Sequence, residues 1–97
     1  MLVQRWEHKV KPGHVQEAVA LTKEALALPN APQYKRVYTS RIGESNRLAV
    51  EWEWESLADY EKAWPAFFAT PGWAAFAKKW DAIRDESKEE FWTAVPV

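Results

Sequence analysis

The chain contains no cysteine, which excludes disulfides and thiolate metal sites. It has no block of basic residues, and its formal net charge is −1, so the electrostatic footprint of a nucleic-acid-binding protein is missing. No apolar run approaches the roughly 18 residues of a membrane span. The opening Met-Leu-Val-Gln-Arg-Trp-Glu does not have the form of a signal peptide. These absences set the expectation of a cytoplasmic protein that spans no membrane. There is no P-loop, dinucleotide-binding glycine fingerprint or nucleophile elbow. Histidine occurs only at positions 8 and 14, on either side of a strand end, a spacing without plausible metal-ligand geometry. No metal or cofactor is expected.

What is present is a single domain's worth of sequence, 97 residues, of which 47% are hydrophobic and 28% charged. These are the proportions of a globular chain, and the whole of 1–97 is read as one domain. Tryptophan is abundant, with seven residues at 6, 52, 54, 64, 73, 80 and 92. Each can bury about 150–250 Å², enough to anchor a core or to wall a cavity.

The chain is organised around Arg47–Glu55. Leu48, Val50, Trp52 and Trp54 alternate with Ala49, Glu51, Glu53 and Glu55, the period-2 pattern of a strand with one apolar and one polar face. Ser56 follows as a helix N-cap, with Asp59 three residues on as a weak form of the capping box. Upstream, residues 2–10 form a first strand with Leu2, Gln4, Trp6, His8 and Val10 on one face. A helix is predicted from about His14 to Leu28, bearing a stripe of Val15, Ala18, Val19, Thr22, Ala25 and Leu26. Pro29 to Pro32 stops it. Residues 34–41 read as a second strand, joined to the third by a turn that uses Gly43 and Asn46.

Beyond Ser56, Leu57, Tyr60, Trp64 and Phe67/Phe68 mark a helical face, and Pro65 is expected to kink it. Thr70-Pro71 reads as a helix restart, a hydroxyl cap followed by proline at the first position. Trp73, Phe76, Ala77, Trp80 and Ile83 continue the stripe. The charged run from Asp81 to Glu90 is a helix end or a loop, and residues 90–95 are a last short strand. The order is β-α-β-β-α-β with the second helix broken, the split-βαβ or ferredoxin-like α+β arrangement. It predicts a four-stranded antiparallel sheet in the order 4-1-3-2, with helices on one face.

The even-numbered residues of strands one and three are assigned to the helix-covered face. The charged face carries Arg5, Glu7, Lys9, Glu51 and Glu53, because burying those charges unpaired would cost several kcal/mol each. Arg5 and Lys9 could pair across strands with Glu51 and Glu53. In strand two the register is open, so Tyr38 or Val37/Thr39 could share the inner face. The charged face either meets solvent or joins two copies as a homodimer.

Two groups carry possible chemistry. His8 lies on the inner face beside Trp6 and Gln4. It is either a structural histidine bonded to a neighbour or a proton acceptor for a bound substrate. His14, at the first turn of the helix, reads as a solvated surface group. The aromatic set Trp6, Trp52, Trp54, Trp64, Phe68, Trp73 and Phe76, with Gln4 and Tyr38, either fills a core or lines a small-molecule pocket.

Several motifs resemble those of NIPSNAP proteins. They are Lys11-Pro12-Gly13 at the helix entry, Tyr38-Thr-Ser-Arg-Ile-Gly43, Asn46-Arg-Leu, Trp52-Glu-Trp-Glu-Ser-Leu57 and Thr70-Pro-Gly-Trp73. The resemblance covers most of the chain and implies a dimeric α/β barrel, in which two ferredoxin-like sheets pack face to face. It implies no settled activity. Within the same superfamily, antibiotic-biosynthesis-type monooxygenases are similar at Trp54-Glu-Ser56 and Pro71, but have a shorter intervening helix and commonly carry histidines near the positions of Trp64 and Trp73. Haem-degrading members use a first-strand asparagine, a helical tryptophan and a helical histidine. Gln4 or His8 would stand near the first and Trp64 or Trp73 near the second, but no histidine occurs between residues 57 and 90. The expectation is a homodimer that binds a small apolar or aromatic molecule. The alternatives are a cofactor-independent monooxygenase or isomerase using His8, and a non-enzymatic interaction module.

Overall fold

In the computed structural model, which describes residues 1–33 and 36–97, strand β1 (Leu2–Val10) lies between two neighbours. On one side it pairs antiparallel with β3 (Arg47–Trp54), setting Gln4 opposite Trp52, Trp6 opposite Val50 and His8 opposite Leu48. On the other it pairs antiparallel with β4 (Arg84–Thr93), setting His8 opposite Ser87 and Gln4 opposite Phe91. Strand β2 (Arg36–Thr39) completes the sheet against β3, in the order β2-β3-β1-β4. Helices α1 (Val15–Leu26), α2 (Leu57–Phe68) and α3 (Trp73–Ile83) complete the ferredoxin-like α+β fold.

Alternation decides the faces. Gln4, His8, Val10, Leu48, Val50 and Trp52 are buried beneath the helices. They meet Ala18, Leu21, Ala25, Trp64, Phe67, Phe76, Trp80 and Ile83 in one apolar cluster. The opposite face carries the charges, which stay partly exposed and are paired with one another, so their desolvation cost is far smaller than it would be under the helices. Among the described residues, no helix is long and apolar enough to cross a membrane.

Several local expectations are corrected. Helix α1 begins one residue later and ends two residues earlier than the pattern predicts, and the buried Leu21 belongs to its stripe. The second strand is described only from Arg36, since its expected start at Tyr34 and Lys35 lies outside the described residues. Val37 pairs with Val50 and Tyr38 with Ala49. That register puts Val37 on the inner face and Tyr38 on the outer one.

Ser56 caps α2 as expected, its hydroxyl accepting from the Asp59 amide at 3.2 Å. The helix runs through Pro65 to Phe68, so the interruption falls later than the proline. Thr70 and Pro71 do not cap and open α3. Gly72 holds the N-cap at φ 97°, and the helix starts at Trp73. Only glycine adopts that backbone without strain, and a Cβ there would also stand 3.0 Å from Leu28 Cδ2. Thr70 is instead a buried staple. Its hydroxyl lies 3.0 Å from the Pro29 carbonyl and 3.2 Å from that of Ala66, and it accepts from Asn30 Nδ2.

The largest correction concerns the charged run. From Arg84 onward it is neither helix nor loop but ten residues of edge strand, paired with β1 along most of its length. Backbone pairing to a buried neighbour outweighs the weak strand propensity of Asp, Glu and Lys. At an edge those side chains still reach water.

Candidate functional site

Gln4 is fully buried at the centre of the sheet, and both polar atoms of its amide have partners. Its Oε1 accepts from Trp54 Nε1 at 2.9 Å and from Trp64 Nε1 at 3.3 Å, and its Nε2 donates to Glu89 Oε2 at 3.0 Å. Trp52 Nε1 donates to the Pro32 carbonyl at 3.2 Å. Three indoles are thus fixed by their N–H groups, since a buried polar atom without a partner costs about 1–3 kcal/mol. Ring contacts fix them further. Trp64 meets Trp52 and Trp6 edge-on at 5.2 and 5.8 Å between centroids, and Phe76 stacks on Trp80 at 6.2 Å.

These rings do not close the core. A cavity of about 260 Å³ remains between the sheet and the helices. Trp6, Trp52 and Val50 form its floor. Thr22, Ala25 and Leu26 of α1 face Trp73, Phe76, Ala77 and Trp80 of α3, and Trp64 and Phe67 come from α2. His8, Asp81 and Arg84 supply its polar end.

His8 is 6% exposed, with its ring edge-to-face against Trp80 at 4.8 Å and tilted on Trp6 at 5.2 Å. Burial, with a smaller contribution from the Arg84 charge, lowers its pKa to about 4. The imidazole is therefore neutral at physiological pH. Its Nδ1 lies 2.7 Å from Ser87 Oγ. Arg84 reaches the same hydroxyl from Nη1 at 3.4 Å and holds Asp81 Oδ1 from Nη2 at 2.9 Å. A polar chain of Asp81, Arg84, Ser87 and His8 therefore runs from the rim to the cavity wall. His14 lies apart, at the surface, paired with Glu17 at 2.7 Å.

Six of the candidate residues meet at this cavity: Trp6, His8, Trp52, Trp64, Trp73 and Phe76. Four do not line it. Gln4 is sealed behind the indoles it holds. Trp54 packs edge-on against Tyr60 at 5.9 Å. Phe68 is 44% exposed, beside Trp73. Tyr38 stands on the other side of the sheet, donating to Glu51 Oε1 at 3.1 Å with the Arg5 guanidinium over its ring.

Sequence reasoning missed Thr22, Trp80, Asp81 and Arg84 as site residues. Trp80 was legible, one turn beyond Phe76 on the same stripe. Arg84 was not, because a strand had to begin there for its side chain to reach the cavity.

On the outer face, Arg5 is held by Glu7 at 3.0 Å and by Glu51 at 2.7 Å, and Arg47 by Glu7 at 2.7 Å. Lys9 pairs with Glu44 at 2.9 Å rather than across the strands with Glu53. The hydrogen bond from Arg5, reinforced by Arg47, holds the Glu7 carboxyl below its ordinary range.

Comparison with known proteins agrees with this architecture. No curated protein matches the chain. An uncharacterised NIPSNAP domain protein from Burkholderia xenovorans superposes with a TM-score of 0.87 at 17% identity, covering 98% of this chain and 95% of that one. A NIPSNAP family protein from Agrobacterium tumefaciens does so with 0.87 at 18%, covering 97% and 92%. A protein described as an antibiotic biosynthesis monooxygenase is similar with 0.69 at 17%, covering 99% and 100%. At these identities the superpositions show a shared fold. The NIPSNAP family model matches residues 6–97, nearly the whole chain, and the chain therefore belongs to the NIPSNAP family.

Proposed function

We propose that this NIPSNAP chain binds a small apolar or aromatic molecule in the cavity between sheet and helices. The observation that carries this reading is the cavity of about 260 Å³, walled by rigid rings with His8 and Arg84 at one end. Apolar walls with a few convergent polar groups are the usual form of a small-molecule site. The rings are also held by hydrogen bonds and edge contacts, so the space is preformed and little ordering cost falls on binding.

An enzyme with His8 as proton acceptor has less support. A base whose pKa is about 4 lies well below the near-neutral value that suits proton abstraction at physiological pH. The monooxygenase likeness is one of fold, and fold alone does not carry chemistry. We further propose that two copies associate through the outer face bearing Arg5, Glu7, Lys9, Glu51 and Glu53. Most of its charges are already paired within one copy, so a second copy would meet a pre-ordered polar surface.

The binding reading is tested by presenting aromatic, lipid-like and haem-like compounds while following tryptophan emission and thermal unfolding. A ligand should change emission and raise the melting temperature with occupancy. Ala77→Phe, placed in the cavity wall, should leave the fold intact and weaken that ligand at least tenfold. Unchanged signals across the whole set would sink the reading.

A further inference from the structure

The polar end of the cavity is rich in hydrogen-bond donors. Arg84 Nη1 faces Ser87 Oγ at 3.4 Å, and a guanidinium can only donate. With one lone pair turned toward Arg84, the serine keeps its hydrogen to give to His8 Nδ1, 2.7 Å away, and this is the tautomer assigned to His8. A neutral imidazole that accepts at Nδ1 carries its proton on Nε2. Among the described residues no oxygen or nitrogen accepts that proton. None of their fully buried side-chain polar atoms is left without a partner. His8 Nε2 is therefore not fully enclosed, and the ring that carries it forms part of the cavity wall.

Arg84 adds to this. It engages one oxygen of Asp81 and the Ser87 hydroxyl, which leaves further N–H groups of its planar fork. The Asp81 pair sits at the rim, with side chains 62% and 36% exposed, and a pair so exposed is weak and exchangeable.

We propose that the ligand is an aromatic carboxylate, with its ring system among the indoles and its carboxylate taken by the Arg84 guanidinium and His8 Nε2–H. The proposal rests on the reading of the cavity as a binding site. Asp81 shows the arrangement in miniature, a carboxylate already seated on Arg84. A plain hydrocarbon would cover these donors without pairing them, at a cost in affinity. A planar carboxylate satisfies the fork and the imidazole together.

The test compares naphthalene-2-carboxylate with its neutral isostere naphthalene-2-carboxamide and with 2-naphthol. Titration calorimetry measures affinity, and indole N–H resonances report the place of binding. The carboxylate should bind at least tenfold more tightly than either neutral probe, equivalent to about 1.4 kcal/mol. Arg84→Gln should erase that preference, lowering carboxylate affinity at least tenfold, to the level of the carboxamide. Arg84→Lys, which keeps the charge and loses the fork, should retain part of it. Asp81→Asn, a change at the exposed rim, should tighten carboxylate binding several-fold by releasing Arg84.

Equal affinity for carboxylate and carboxamide would overturn the carboxylate assignment and leave the cavity as an apolar site. Tightest binding of 2-naphthol would do the same, in favour of a hydroxyl ligand. Carboxylate binding indifferent to both Arg84 variants would also overturn it. If none of the three probes moved the indole resonances, the carboxylate and the binding site would fall together.

Discussion

The two faces of this sheet are built from the same strands and solve opposite problems. On the inner face, polar groups are few, buried and committed: Gln4 fixes Trp54 and Trp64, and His8 is neutral beside Ser87. On the outer face polar groups are many, paired and within reach of water. The difference teaches where polarity matters energetically. A buried group must be satisfied by named partners or cost about 1–3 kcal/mol. A surface ion pair contributes roughly 0–1 kcal/mol, because water competes for both partners. The largest effects should therefore follow from changing a single amide or imidazole on the inner face.

The sharpest break is expected at Gln4. Gln4→Ala removes the acceptor for two indole N–H groups, strands that of the buried Trp64, and opens a void in a position with no exposure. The loss of stability should reach about 3–4 kcal/mol, measured by urea denaturation. A loss below 1 kcal/mol would show that the indoles are held by packing alone.

His8 sharpens the contrast through pH. In the fold it stays neutral down to about pH 4, whereas its ordinary pKa is 6.5. Throughout that interval the unfolded chain binds more protons, so stability is complete above pH 6.5 and falls as the pH drops toward 4. At about 1.4 kcal/mol per pH unit, roughly 2 kcal/mol should be lost between pH 7 and 5. Glu7 does not confound that window, because the stability from its lowered pKa is lost only as the pH falls through and below its ordinary value of 4.5. Denaturation at the two pH values, with His8→Leu as the flattened control, measures the effect. Equal slopes in both proteins would show that His8 is not desolvated.

Much of this contrast was legible in the sequence, because it rests on local periodicity. The period-2 alternation of Leu48, Val50, Trp52 and Trp54 and the Ser56 cap depend on neighbours in the chain, and both read correctly. The start of β4 was illegible because Arg84–Glu90 carries no apolar alternation, and only pairing with β1 makes it a strand. Gly72 displaced Thr70 as the cap because Thr70 is drawn inward by Pro29 and Asn30, far away in sequence. The site was half legible for a related reason. Face assignment brings Trp6, His8, Trp52, Trp64, Trp73 and Phe76 together, but whether a ring lines a space or seals it depends on packing partners. Those partners put Gln4, Trp54 and Phe68 outside the cavity, and strand register put Tyr38 on the other face.

The smallest effect is expected on the outer face. Arg5 touches Glu7, Glu51 and the face of Tyr38, more contacts than His8 makes to polar groups, yet all lie where water can replace them. Arg5→Ala should therefore cost the folded protomer about 0.5–1 kcal/mol, and less in high salt as the surviving charges are screened. The same substitution separates a solvated face from a joined one. If two copies meet through this surface, losing Arg5 leaves Glu7 and Glu51 short of a cation inside an interface, where an unpaired charge costs several kcal/mol. Sedimentation velocity over a dilution series should then show the variant dissociating at concentrations where the parent stays dimeric, while urea denaturation of the dissociated protomers differs little. An unchanged assembly in the variant would place the protein's partner, if it has one, on another surface. The outer face would then be as solvated as its exposure suggests, and the asymmetry between the faces would belong to a single copy.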